Sequence, residues 1–286
     1  MTAAGGEGAL SPDEVALGIT MDIIERFDGK KFDTEEIARS IDDLGPYQNV
    51  FLQEMDVMNN LLTEMSRSLK ELILGFKGEL TMSDSMDALK SSLYLDRIPP
   101  NWQKRAWPSL RPLQSWLTDF LLRLQQLDEW QNNPLVIPKV TWISGLYNPQ
   151  SFLTAIMQKT AQDQKLELDK LVTWTDVTKK VTVDEVDSLA KDGGAYIIGF
   201  YLQGARWDTP GGLLERSKPK EMFCKMPVIN VRAILAEKAD YVGIYSCPSY
   251  KTEQRGPTYV FCAQLKTKSY PGKWVLAGVA LIMDVV

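Results

Sequence analysis

LVTWTDVTKKVTV, residues 171–183, marks a change of period along this chain. Upstream, apolar residues return every three or four positions, the spacing of a helix face. From about Leu168 they return at every second position, the spacing of a half-buried strand. The stretch is rich in β-branched and aromatic side chains, which suit a pleated surface. Five further stretches share that character: GGAYIIGFYLQGA (193–205), MPVINVRAIL (226–235), ADYVGIYSCPSY (239–250), PTYVFCAQLKT (257–267) and KWVLAGVALI (273–282). Six short strands with turn signals between them, and no long helix between most of them, predict an antiparallel sandwich or barrel. A parallel βαβ sheet does not fit that spacing.

The residues before 168 read as about six helices. SPDEVALGITMDIIERF (11–27) offers Ser11 as N-cap, Pro12 at the first helical position and Asp13 and Glu14 in the first turn. These are the residues that satisfy the free N–H groups and the positive end of a helix. DTEEIARSIDDLG (33–45) predicts a short helix ending at Gly45. In PYQNVFLQEMDVMNNLLTEMSRSLKELILG (46–75), Phe51, Met55, Met58, Leu62, Met65, Leu69 and Leu72 form a heptad seam. At 1.5 Å per residue that helix is roughly 43 Å long. It is either a core helix lying in a groove or a coiled-coil surface for a partner. TMSDSMDALKSSLYL (81–95) gives another capped helix, and a proline-rich bend, RIPPNWQKRAWPSLRP (97–112), follows it. PLQSWLTDFLLRLQQLDEW (112–130) carries a wide apolar stripe. In TWISGLYNPQSFLTAIMQKTAQ (141–162), Asn148 caps a helix that begins at Pro149. The expected organisation is a flexible start or linker at 1–11, a helical subdomain at 12–167 and a sheet subdomain at 168–286.

Composition narrows the chemistry. The protein has 286 residues, 44% apolar and 24% charged, with a formal net charge of -5. That balance suits a soluble domain and offers no basic surface for nucleic acid and no polybasic contact for a membrane. No apolar run reaches the roughly 20 residues that span a bilayer, and the first residues do not read as a signal peptide. The three cysteines, Cys224, Cys247 and Cys262, have neither paired counts nor metal-ligand spacing, which fits a reducing compartment. There is no histidine, so Ser-His-Asp and Cys-His arrangements and most zinc sites are excluded. The carboxylate pairs Asp13/Glu14, Glu35/Glu36 and Asp42/Asp43 lie at helix ends, where dipole pairing and solvation account for them.

GARWDTPGG (204–212) has glycine spacing that could suggest a phosphate cradle. It lacks the Gly-Lys-Ser/Thr ending, and Pro219 interrupts the next stretch, so no helix N-terminus stands behind it. It reads as a turn leaving a strand. Arg206 and Asp208 bracket Trp207 and are placed to pair locally or with a partner surface, with a small-molecule site as the remaining reading.

Three long strings carry a resemblance: RSLKELILGFKGELTMSDSMDAL (67–89), RIPPNWQKRAWPSLRPLQSWLTDFLLRLQQLDEW (97–130) and TWISGLYNPQSFLTAIMQKTAQ (141–162). With FYLQGARWD (200–208) and WVLAGVALIM (274–283), they resemble the C-terminal end of dynein heavy chains over roughly residues 12 to 286. The similarity is greater to axonemal, outer-arm-type heavy chains. The resemblance implies an α+β fold in which helices precede an incomplete, six-stranded antiparallel β-barrel. It implies a non-catalytic regulatory and structural domain lying on a ring of AAA+ modules, bracing it and tuning nucleotide response, force and processivity in ciliary motility. A docking platform for an accessory dynein subunit or axonemal partner is the alternative. Its partners would be the AAA+ ring of the same heavy chain, dynein complex subunits and, through the parent motor, the microtubule. Its place would be the cytoplasm, cytoskeleton and ciliary or flagellar axoneme. No cofactor is expected in this segment, since ATP and magnesium would bind elsewhere in the parent motor. The P-loop and catalytic motifs of that ATPase are absent here, so no catalytic or metal residue is carried over. The candidate docking residues are Trp102, Trp107, Arg206, Trp207 and Asp208, with the exposed side of the long helix.

Overall fold

Ser11 closes a capping box on helix α1 (Pro12–Phe27). Its Oγ accepts from the Glu14 N–H at 3.2 Å, and the Glu14 carboxylate accepts from the Ser11 N–H at 2.8 Å. The computed structural model describes residues 11–191 and 193–285, so all but Ser11 of the expected flexible start lies outside the described residues. Asp33 caps α2 (Thr34–Arg39), which stops well short of Gly45. There Ser40 donates from Oγ to the Ile37 carbonyl at 2.6 Å, a local bond that competes with helix continuation.

The long helix α3 (Pro46–Phe76) buries every residue of the expected seam, from Phe51 to Leu72. It is a core helix, and its heptad spacing is the footprint of neighbours within the protein. Next come α4 (Asp84–Tyr94), capped by Ser83, the single turn α5 (Pro100–Gln103) and α6 (Leu113–Gln131). Then α7 (Pro149–Gln164), capped by Asn148, ends where Lys165 turns left-handed at φ 53°. A last short helix, α8 (Gly272–Leu276), lies among the strands.

The protein folds into two compact units that interleave in sequence. Among the described residues, the first takes 11–32, Asp56–Trp107 and Pro112–Thr118. In it α1 packs on α4, and the core gathers Ile23, Phe27, Met58, Met65, Leu89 and Trp102. The second unit takes Asp33–Met55, Pro108–Arg111 and the residues from Asp119 on. After α7 the elements are mostly strands, and one strand, Val140–Trp142, precedes that helix. Residues 33–55 and 119–164 share a unit with the strands.

Eleven strands are present among the described residues, in three sheets. The four-stranded sheet has the order β1 (Val140–Trp142), β3 (Ala195–Ile198), β8 (Ile229–Leu235), β2 (Leu171–Val177). The five-stranded sheet runs β10 (Tyr259–Lys266), β9 (Ile244–Thr252), β11 (Ala280–Asp284), β4 (Tyr201–Gln203), β7 (Phe223–Lys225). A two-stranded hairpin pairs β5 (Arg206–Asp208) with β6 (Leu213–Glu215).

The α+β class stands, and the expected incomplete, six-stranded antiparallel β-barrel is corrected in strand number and direction. β1 runs parallel to β3, β11 runs parallel to β9, and no closed barrel forms among the described residues. Where the edge strands β2 and β10 meet, side chains replace a backbone ladder. Thr175 N–H donates to Gln264 Oε1 at 2.9 Å, and Gln264 N–H donates to Thr175 Oγ1 at 2.6 Å. Both residues are buried, so the bonds satisfy donors that an open edge would strand. KWVLAGVALI, expected as one strand, divides into α8 and β11.

Candidate functional site

GARWDTPGG is a hairpin turn. Asp208 receives the Gly212 N–H on its carbonyl at 2.7 Å and the Gly211 N–H on its carboxylate at 3.0 Å. Gly212 sits at φ +65°, where a Cβ would add strain, and a Cβ on Gly211 would clash with the Asp208 carboxylate. The glycines therefore serve the turn, and none of this makes a phosphate cradle. Arg206 lies opposite Glu215 across the hairpin and pairs with Glu221 at 3.6 Å. Trp207 pairs across the hairpin with Leu214, and both are buried. Asp208→Ala removes one of the two bonds closing the turn and should cost about 1 kcal/mol locally. Hydrogen exchange at Gly211 should speed several-fold with the global unfolding midpoint almost unchanged. Unaltered exchange would mean that the carboxylate does not hold the turn.

The proline-rich bend puts its tryptophans inside the first unit. Trp116 of α6 stacks on Trp107, with ring centroids 5.1 Å apart and planes 12° apart, and on Trp102 at 6.2 Å and 27°. Trp102 is fully buried and donates its indole N–H to Ser68 Oγ at 3.0 Å. Trp102, Trp107 and Trp207 are each at most 4% exposed, so their rings shape the surface from beneath and are not themselves displayed. Of the five sequence candidates, Arg206 and Asp208 come together on the hairpin with the buried Trp207 between them. Trp102 and Trp107 belong to the other unit's core.

A second constellation, in the second unit, escaped sequence reasoning. Glu54, on α3, is 4% exposed, and its carboxylate accepts from the backbone N–H groups of Tyr147 and Asn148 as the backbone enters α7. Lys251 on β9 donates to the Tyr147 carbonyl at 2.7 Å, so one peptide unit is held from both sides. Arg123 on α6 pairs with Asp119 at 2.9 Å, donates to the Ser144 carbonyl at 2.8 Å and lies 5.3 Å from the Trp142 ring centroid. Burial pushes the Glu54 carboxyl up, while the two N–H groups and the charges of Arg123 and Lys251 oppose that push. Burial likewise lowers Lys251. Further along, Asp284 on β11 accepts from Ser109 Oγ at 2.6 Å and pairs with Arg111. These groups bind backbone and one another, which is a bracing arrangement. The Glu54 and Asp284 carboxylates accept from groups of the protein itself, and Lys251 and Arg123 donate to its carbonyls.

Among the described residues, no group of three or more Cys, Asp or Glu side chains is placed to hold a metal ion, and no helix is long and apolar enough to cross a membrane. Burial pushes the Cys247 thiol well up, away from the thiolate form that reacts.

Helices and mixed sheets with buried charged groups among them define an α+β fold. Residues 1–283 match the family model described as the C-terminal domain of the dynein heavy chain, and the protein belongs to that family. Among its relatives, the Dynein beta chain, flagellar outer arm, of Chlamydomonas reinhardtii is 48% identical over 99% of the present sequence. Dynein axonemal heavy chain 9 of Homo sapiens is 44% identical over 99%, and the Dynein beta chain, ciliary, of Tripneustes gratilla is 46% identical over 92%. The aligned residues span 6% of the length of each of these relatives.

Proposed function

We propose that this protein is the non-catalytic C-terminal regulatory and structural domain of an axonemal dynein heavy chain, working in the ciliary or flagellar axoneme. In this reading it packs on the AAA+ ring of its own heavy chain and braces it. It also biases the ring among nucleotide states, and so tunes force and processivity, while ATP and magnesium bind elsewhere in the motor. The family match over nearly the whole sequence carries the reading. The bracing networks around Glu54 and Asp284 support it, because a rigid body transmits load without local yielding. A bias between ring states is bounded by the difference in contact energy between them, about 1–3 kcal/mol for a typical coupling.

The hairpin residues Arg206 and Asp208 are the proposed contacts, held in place by Trp207. The alternative, a platform for an accessory dynein subunit or axonemal partner, draws on the apolar side chains exposed between β10 and β11. A decisive experiment is an optical trap on the complete motor with and without residues 12–286. Removal of 168–286 alone would open the core that the strands share with 33–55 and 119–164. Altered stall force or run length with basal ATPase intact is the expected result. Unchanged force and run length in an intact ring would overturn the regulatory reading.

A further inference from the structure

KTKSYPGKWVL, residues 266–276, joins β10 to β11 through α8. Trp274 anchors the turn. It is 2% exposed, and its indole N–H donates to Thr267 Oγ1 at 2.8 Å. The same oxygen accepts the Ser269 N–H at 3.0 Å, and the Thr267 N–H donates to the Gly243 carbonyl at 2.9 Å. Lys273 lies 4.4 Å from the Trp274 ring centroid. On this fixed base the turn displays Tyr270, Val275 and Leu276, which are 83%, 65% and 92% exposed. Three large apolar side chains left in water within seven residues are the kind of surface that a partner covers. Because the turn is already ordered, little further entropy is lost when something covers it. Beside it lies an open concavity of about 410 Å³, lined by Arg216, Lys268 and Lys273, with Glu215 as the one acid among the described lining residues.

We propose that the 266–276 turn is a docking knuckle whose occupant is the remainder of the same heavy chain, which receives Val275 and Leu276 in an apolar socket rimmed by carboxylates. This rests on the reading of the protein as a domain that packs on its own heavy chain. The apolar tip calls for an apolar socket, and the three cations call for acidic residues around it. The relatives' length points to the source. The matched region is 6% of each, so a tethered surface competes at high effective concentration against any free partner.

The test places photoreactive benzoylphenylalanine at position 276 of the complete, purified motor and maps the adducts by mass spectrometry. The expected adducts fall on heavy-chain peptides outside residues 1–286 that carry apolar residues flanked by Asp or Glu. Arg216→Glu combined with Lys268→Glu, two exposed substitutions, should lower the yield at least five-fold, and the yield should fall as salt is added. No adduct, adducts confined to residues 1–286, or adducts on another polypeptide would overturn the proposal. So would flotation of the complete motor with phosphatidylserine vesicles that Leu276→Ser abolishes, since the occupant would then be a lipid surface. A failed knuckle with a persistent effect of residues 12–286 on stall force would leave the wider reading in place.

Discussion

Replacing Trp116 by alanine should lower the unfolding free energy by about 3–5 kcal/mol, the range for truncating a fully buried aromatic side chain. Trp116 stacks on both Trp102 and Trp107, so its loss opens a cavity against two rings and removes both stacking contacts. It also loosens the proline-rich bend, because α5 and the residues after it are fixed from inside by Trp102 and Trp107. Trp116→Phe keeps part of the stack and should cost less than half as much. Urea unfolding followed by far-UV circular dichroism measures both variants. A cost below about 1 kcal/mol for Trp116→Ala would show that the unit collapses around the gap and that the stack adds little beyond its area.

The other large effect is expected at Glu54. Glu54→Gln should cost about 2 kcal/mol at neutral pH, because it leaves a buried backbone N–H facing an amide donor in place of an acceptor. Glutamine can accept one of the two N–H bonds from Tyr147 and Asn148, but it turns its amide N–H2 towards the other, and it removes the negative charge that opposes the lowering of Lys251. The pH dependence follows from burial. Glu54 is held above its ordinary value of 4.5, so its contribution is full below that value and is lost as pH rises through the raised folded value. Lys251 is held below its ordinary 10.5, so its contribution is present above that value and is lost as pH falls through the lowered folded value. The gap between wild type and Glu54→Gln should therefore narrow from acid towards neutral pH. A variant within about 0.5 kcal/mol of wild type across that range would remove the network from any account of bracing.

The sequence declared its helices well, because helix ends are chemically local. Ser11, Ser83 and Asn148 cap within three residues of themselves, and Pro12 and Pro149 stand at first helical positions. The strands were legible where they were long enough to show a period, as in β2, β8, β9 and β10. β1, β5, β6 and β7 have three residues each, too few to alternate visibly. The parallel pairings were hidden for another reason: β1 and β3 lie far apart in sequence, and no local pattern states which distant strand a strand will meet. Lys273 to Leu276 carry strand-like composition, yet the proline before them and the burial of Trp274 select a helical turn. The site was legible only in part. GARWDTPGG advertised its turn through glycine and proline. Glu54 looked like one more polar position on a long helix, because Tyr147 and Lys251, which explain it, lie far along the sequence.

The place of β11 in its sheet bears on how this domain is made. Residues 280–284 form neither an edge nor a tail. They insert between β9 and β4, and Asp284 ties them back to Ser109 and Arg111. A nascent polypeptide that has not yet released these residues holds β9 and β4 with facing rows of backbone groups unpaired, the condition that invites association with other molecules. Translation must therefore run past residue 284 before the sheet can close. Nonsense or frameshift changes upstream of residue 280 would leave β9 and β4 without the strand that lies between them.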